Sequence, residues 1–401
     1  MFARERQMAR TCCRTRHVVV LAGMLVLSGV AQGQDNTLKG CNLSEGLSGW
    51  GGVVTDDKKS VSVVDLADGK KGLQLSRKAE GPVGIDQTVH LKPQTLYRFS
   101  VTGFGKAQAG MRLRPASSKD AEFATVFKPW VVTTSPLPVS DQPHTTEVLF
   151  DSGLKADSTM AMVYLAEPKE IGSYTIMALS LTEVGSSRPT DDETIVLHLG
   201  DSLSAGVYLS TEERLHTLLQ DMLGKALPDH KFRQINLAAD GEYIKELLTS
   251  NRYRRLVREN YSRVDVAIIR YGGNDSRFGT SDDFKKQMAT LCDNLAKDYP
   301  KIKIVLSTGT YVKGNDDVNK RYALYWQVPR DLSKERSLPL VDVYARFEKE
   351  QSDKLTRGVN DMHPTPQGVR VMAEEESLVL KRLLSTAASS PTTTKAASNA
   401  P

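Results

Sequence analysis

Thr194-Ile195-Val196-Leu197-His198-Leu199-Gly200-Asp201-Ser202-Leu203-Ser204-Ala205-Gly206 is the stretch on which the fold turns. An apolar run ends at Leu199, a glycine follows, and a serine stands just beyond it. A continuous apolar run without alternation reads as a strand covered on both faces, the kind that parallel sheets use. The residues downstream repeat the theme. Lys231–Leu237, Val264–Arg270, Lys303–Ser307 and Leu340–Val343 read as further strands. Thr211–Leu227, with Leu215, Leu218, Leu219, Met222 and Leu223 at helical spacing, reads as a helix, as do Asp282–Ala296 and Pro366–Leu384. Strands alternating with helices predict an α/β domain over 193–385, a parallel sheet with helices on both faces, whose ligands sit beyond the carboxyl ends of the strands.

Ser202 falls at that mouth. A serine hydroxyl is a weak nucleophile without a neighbouring base. Gly200 permits a tight turn, and the Ser202 backbone N–H is placed to meet a developing oxyanion. The same segment also reads as an ordinary strand-to-helix turn in which Asp201 or Ser202 caps the helix. The following segments separate the two readings. Asn236-Leu237-Ala238-Ala239-Asp240-Gly241 follows the second strand, and Gly241 offers an unobstructed N–H. Tyr271-Gly272-Gly273-Asn274-Asp275 follows the third, and Asn274 offers an amide donor. Val359-Asn360-Asp361-Met362-His363-Pro364 precedes the last helix and supplies a base, His363, with a carboxylate nearby. Each piece alone also fits a bland role: glycine in a turn, an Asn-Asp turn pair, His-Pro leading into a helix. Four in order, each supplying a different catalytic need, argue against coincidence.

This set resembles the GDSL/SGNH hydrolase family, over about Thr194–Leu384. Gly200-Asp201-Ser202-Leu203 is similar to its first block, Gly241 to its second, Gly272-x-Asn274-Asp275 to its third and His363-Pro364 to its last. The resemblance implies an SGNH-type, flavodoxin-like sheet, with Ser202 as nucleophile and His363 as general base and acid. It implies an oxyanion hole of Ser202 N–H, Gly241 N–H and the Asn274 amide. One position departs. The family places its aspartate three residues before the histidine, where this chain has Asn360; Asp361 lies two before. Asp361 is expected to orient His363, with Asn360 the alternative, or a dyad operates. An asparagine fixes the tautomer but stabilises imidazolium poorly.

Elsewhere the signals are weaker. His198 reads as core, and His216 and His230 as poorer candidates for the base. Arg270, Tyr271 and Arg277 read as surface pairs or as substrate contacts. Residues 36–184 show short alternating runs (Ser60–Val64, Gly72–Ser76, Ile85–His90, Tyr97–Val101, Thr146–Phe150, Met160–Leu165, Tyr174–Leu181) punctuated by turns. They predict an N-terminal antiparallel β-sandwich of the jelly-roll kind. Gly46–Trp50 and Leu91–Tyr97 resemble segments of carbohydrate-binding modules. Trp50, Tyr97 and Trp130 read as core aromatics or as sugar-stacking surfaces. Gly185–Asp192 reads as a linker, and 386–401, rich in Ala, Ser and Thr, as a disordered tail.

Much of the +5 net charge sits in Arg4, Arg6, Arg10, Arg14 and Arg16, so charge argues for no nucleic-acid partner. Those arginines precede an apolar run, Val18–Ala31, and the small-x-small site Ala31-Gln32-Gly33. They predict an export signal over 1–33, a secreted or periplasmic protein, and no membrane span once the signal is removed. Cys12 and Cys13 leave with it. Cys41 and Cys292 read as free thiols, no Cys/His cluster has metal spacing, and no cofactor is expected. The function expected is a serine esterase acting on an acylated carbohydrate or another ester, first of all as a deacetylase. The alternatives are a lipid or small-ester hydrolase, a glycan O-acetyltransferase, and a non-enzymatic glycan-binding protein with a degenerate hydrolase domain.

Overall fold

The computed structural model describes residues 60–66, 69–115, 133–152, 159–165 and 171–388, together with 37, 38, 43, 48, 50, 52 and 53. The expected export signal over 1–33, Cys12, Cys13, Cys41, Trp130 and residues 389–401 of the expected tail lie outside the described residues. No described helix is long and apolar enough to cross a membrane.

The N-terminal region is antiparallel. Its strands are β1 (Gly52–Val53), β2 (Val61–Asp65), β3 (Lys71–Arg77), β4 (Gly84–Val89), β5 (Thr95–Gly105), β6 (Ala109–Pro115), β7 (Thr133–Leu137), β8 (Ser140–Asp151), β9 (Thr159–Leu165) and β10 (Gly172–Ser186). They form two five-stranded sheets, β1-β4-β9-β6-β7 and β2-β3-β10-β5-β8. From β3 to β10 the chain crosses between sheets at nearly every step, which is a jelly-roll weave. Alternation explains it: in β5 every second residue from Thr95 to Gly103 is buried. The buried set of both sheets, Leu73, Ile85, Phe99, Met111, Val163 and Ile176 among them, forms one core. Tyr97 and Trp50 belong to that core, which settles them as packing residues rather than sugar-stacking surfaces.

The α/β domain runs β11 (Glu193–Gly200), α1 (Ser202–Ala205), α2 (Leu215–Ala226), β12 (Lys231–Asn236), α3 (Ile244–Thr249), β13 (Val266–Arg270), α4 (Asp275–Phe278), α5 (Ser281–Asp298), β14 (Lys303–Ser307), α6 (Asp316–Arg336), β15 (Leu340–Val341) and α7 (Val343–Glu350). A short antiparallel pair follows, β16 (Thr356–Gly358) and β17 (Asp361–Pro364), and then α8 (Pro366–Ala388). The sheet order is β12-β11-β13-β14-β15, all parallel, the 2-1-3-4-5 order of flavodoxin-like folds. Its two faces bury different cores. Ile195, Leu197, Leu199, Ala267 and Ile269 point to one, and Val196, Val266, Ile268 and Val305 to the other. The unbroken apolar run of β11 is the direct consequence of being covered twice.

Several local expectations need correcting. The helix expected over Thr211–Leu227 is broken: a 3₁₀ turn at Thr211–Glu213 ends at Arg214, which is extended, and α2 starts at Leu215. Of Leu340–Val343 only Leu340 and Val341 pair as strand, because the Asp342 carboxylate caps α7 through the Ala345 N–H. Gly185 and Ser186 are not linker; they pair with Leu96 and Thr95 and complete β10. Thr386, Ala387 and Ala388 are not disordered tail but the last residues of α8, where alanine favours the helix. The α6 helix has no counterpart in the sequence reading, because Pro329 inside it reads as a breaker.

Candidate active site

Ser202, Gly241 and Asn274 follow the carboxyl ends of β11, β12 and β13, around the point where strand order reverses. Asp201 caps α1, its Oδ1 accepting from the Leu203 N–H at 3.0 Å. This leaves Ser202 at the first helical position, where a backbone N–H has no intrahelical acceptor. Gly200 is required by packing: a β-carbon there would lie 2.6 Å from the Arg270 carbonyl oxygen and 2.7 Å from Ser204 Oγ.

His363 comes from the other end of the domain. Its Nε2 lies 2.8 Å from Ser202 Oγ, and its Nδ1 lies 2.6 Å from Asp361 Oδ1. With the Nδ1 proton given to Asp361, Nε2 is the acceptor that faces the serine. Asp361 also receives the His363 backbone N–H at 2.9 Å. The reason that Asp361 serves, two residues before the histidine, is strand geometry. Both lie on β17, where residues i and i+2 share a face. Asn360 sits with Val359 in the two-residue turn between β16 and β17, since Gly358 pairs with Asp361. Its Oδ1 accepts from Asn315 Nδ2 at 3.0 Å, so the alternative orienting residue is turned away from the imidazole. Burial opposes ionisation of Asp361, but the two His363 donors and Arg357 outweigh it and bring the carboxyl below its ordinary range. The pair is open to solvent: side-chain exposure is 32% for His363 and 36% for Asp361.

The hairpin is fastened from below. Thr310 Oγ1 donates to the Met362 carbonyl at 2.6 Å, and Asn315 Nδ2 to the Val359 carbonyl at 2.6 Å. Met362 lies against Gly273, where a β-carbon would come within 3.4 Å of its Cε and 3.2 Å of Asp201 Oδ2. On the opposite side Asn274 Nδ2 donates to the Glu242 carbonyl at 3.1 Å, tying the third block to the second. Gly241 is exposed, has φ +71°, and has open space where a side chain would be.

Residues that sequence reasoning missed complete the surroundings. The Tyr208 ring meets the His363 ring edge-on, with centroids 5.3 Å apart. The Arg357 guanidinium lies 5.2 Å over the Tyr208 ring, and its Nε is 3.5 Å from Asp361 Oδ2. Burial pushes the Tyr208 phenol well up, so it stays neutral. No motif announces either residue; each lies outside the four blocks. Asp201 is buried, and desolvation raises its carboxyl to about 7. Arg270 and Tyr271 are fully buried rather than surface pairs or substrate contacts, whereas Arg277 is exposed. His198 is buried as expected, beside Gln234. Among the described residues no His/Cys/Asp/Glu group is arranged to hold a metal, and Cys292 is a buried free thiol.

A doubly wound parallel sheet with hydroxyl, imidazole and carboxylate in line at its carboxyl edge defines an ester hydrolase of the α/β class. The model of the GDSL-like lipase/acylhydrolase family matches residues 198–371, most of the α/β domain. Solved structures with some likeness include a Bacillus subtilis protein at 17% identity, covering 81% of this chain and 88% of that one, with TM-score 0.40. A family two carbohydrate esterase from Clostridium thermocellum, in complex with cellohexaose, has 14% identity, coverage of 78% and 95%, and TM-score 0.39. The acetylxylan esterase Axe2 from Geobacillus stearothermophilus has 18% identity, coverage of 48% and 96%, and TM-score 0.40. No curated protein sequence matches the chain significantly.

Proposed function

We propose that the protein is an exported serine esterase that removes acyl groups, first of all acetyl, from a carbohydrate. The observation that carries this reading is the hydrogen-bonded chain from Ser202 Oγ through the His363 ring to Asp361, 2.8 Å and 2.6 Å long. His363 Nε2 takes the Ser202 proton as Oγ attacks the ester carbonyl. The tetrahedral oxyanion is held by the Ser202 N–H, the Gly241 N–H and the Asn274 amide. The intermediate collapses with His363 returning its proton to the leaving alcohol. Water, deprotonated by the same nitrogen, then attacks the acyl-serine and releases the acid. Asp361 keeps the Nδ1 proton in place and stabilises the imidazolium.

The half-exposed His363–Asp361 pair favours a bulky, water-soluble alcohol over a long acyl chain that needs an apolar tunnel. The jelly-roll region supports a glycan target, and the basic, apolar N-terminus supports export. The test is a panel of p-nitrophenyl acetate, longer acyl esters and acetylated oligosaccharides with the wild type and Ser202→Ala. Acetate release from the oligosaccharides by the wild type alone supports the full reading. Cleavage of long-chain esters only would replace the carbohydrate by a lipid, and activity surviving in Ser202→Ala would reject the nucleophile.

A further inference from the structure

Glu242, directly after Gly241, is fully buried together with Arg252 and Tyr271. One of its carboxylate oxygens accepts from Arg252 Nε and the other from the Tyr271 hydroxyl at 2.7 Å. Its backbone carbonyl accepts from Asn274 Nδ2 at 3.1 Å. A second carboxylate spans the same two loops. Asp275 Oδ1 accepts from the Ile244 N–H at 2.9 Å, and Oδ2 from the Gly272 N–H at 3.0 Å. The loop after β12 and the loop after β13 are thus stitched at three places, within three residues of Gly241 and Asn274.

A buried ion pair adds little net stability over well-packed apolar side chains, so stability alone does not account for this cluster. What directional bonds provide that packing does not is a fixed spacing between two loops. We propose that Glu242, held by Arg252 and Tyr271, is a positioning residue that sets the distance between the Gly241 N–H and the Asn274 amide. This rests on the reading of those two groups as oxyanion donors. One Asn274 N–H is spent on the Glu242 carbonyl, so the second is held in a fixed direction. Donors accelerate acyl transfer only when they are in place before the charge develops. Arg252 offsets the Glu242 charge, which unpaired would oppose a nearby oxyanion. The Tyr271 phenol, pushed well up by burial, remains a neutral donor.

The test compares Tyr271→Phe with Tyr253→Phe in the full-length protein. Both tyrosines belong to the same apolar core, but the Tyr253 hydroxyl donates to Asp298 at 2.9 Å, on α5. With p-nitrophenyl acetate, Tyr271→Phe is expected to lower kcat about tenfold or more, with KM within about twofold of wild type. Tyr253→Phe is expected to keep the wild-type kcat at a similar loss of Tm. Wild-type kcat in Tyr271→Phe, or equal slowing of both variants, would overturn the proposal. Should Tyr271→Phe not fold, Glu242→Gln keeps the shape of the side chain but puts a donor where one of its two carboxylate oxygens accepts; the same fall in kcat at constant KM is expected, and wild-type kcat would overturn the proposal. A wild-type protein without esterase activity would reject the underlying esterase reading as well, whereas an active wild type with an unaffected Tyr271→Phe would reject only the role of Glu242.

Discussion

At the scale of residues, Asp361 and Asn360 carry the sharpest contrast. Asp361→Asn keeps the shape of the His363 partner but removes the charge that stabilises imidazolium. It is expected to lower kcat about 10²- to 10⁴-fold, whereas Asn360→Ala stays near wild type in a steady-state assay. A large loss in Asn360→Ala would restore the family's usual position. Asp201 governs a different property. Its folded-state carboxyl, raised to about 7 by burial, holds a proton at pH values where the unfolded chain has released it. The associated stability is complete below the ordinary carboxylate value and is lost as pH rises through about 7. His198 acts in the opposite direction. Burial lowers its pKa, so stability falls as pH drops below the ordinary imidazole range. Asp201→Asn removes only the first effect. Its Tm relative to wild type is expected to climb between pH 5 and pH 8, on the order of 5 °C. Parallel Tm curves would contradict this.

At the scale of elements, the legible and illegible parts of the sequence separate on physical grounds. The strand β11 was readable because double burial leaves no alternation. The serine after it, the Asn274 block and the His363-Pro364 block were readable because each needs a particular residue type at a strand end. The helix α6 was not. Pro329 reads as a breaker, yet Tyr322, Tyr325, Trp326, Pro329 and Leu332 keep one buried face through it. That helix explains two glycines. A β-carbon on Gly272 would lie 2.5 Å from Trp326 Cζ3, and one on Gly309 would lie 2.3 Å from Cζ2. Gly272 also has φ +133°, in the region that glycine alone adopts readily. Gly272→Ala therefore meets backbone strain and a clash together, and is expected to cost about 2–5 kcal/mol in chemical denaturation. Gly241→Ala shares the positive φ but finds open space, and is expected to cost about 1–2 kcal/mol. Equal costs would contradict the role given to Trp326.

At the scale of the whole molecule, two regions with different sheet logic lie on one chain, joined by a short and well-held connection. Ser187 donates its N–H to the Gln94 carbonyl at 2.9 Å and its hydroxyl to Asp151 at 2.6 Å. Arg263 donates to the carbonyls of Asp191 and Thr190 at 2.9 Å and 3.2 Å. The sequence signalled this connection by composition but could not show how it is fastened, because these contacts join residues some 40 to 90 positions apart. Tyr208 was hidden for the same reason, lying 155 positions before the His363 ring that it meets, whereas Arg357, only four residues before Asp361, was hidden because it stands outside the four blocks. The proposed chemistry depends on side chains 161 positions apart meeting at one hydroxyl. The most direct measurement is covalent labelling of the folded, full-length protein with a fluorophosphonate, read by mass spectrometry of its peptides. Stoichiometric phosphonylation on Ser202, abolished in His363→Ala at unchanged fold, is the expected result; an unlabelled Ser202, or labelling indifferent to His363, would contradict it.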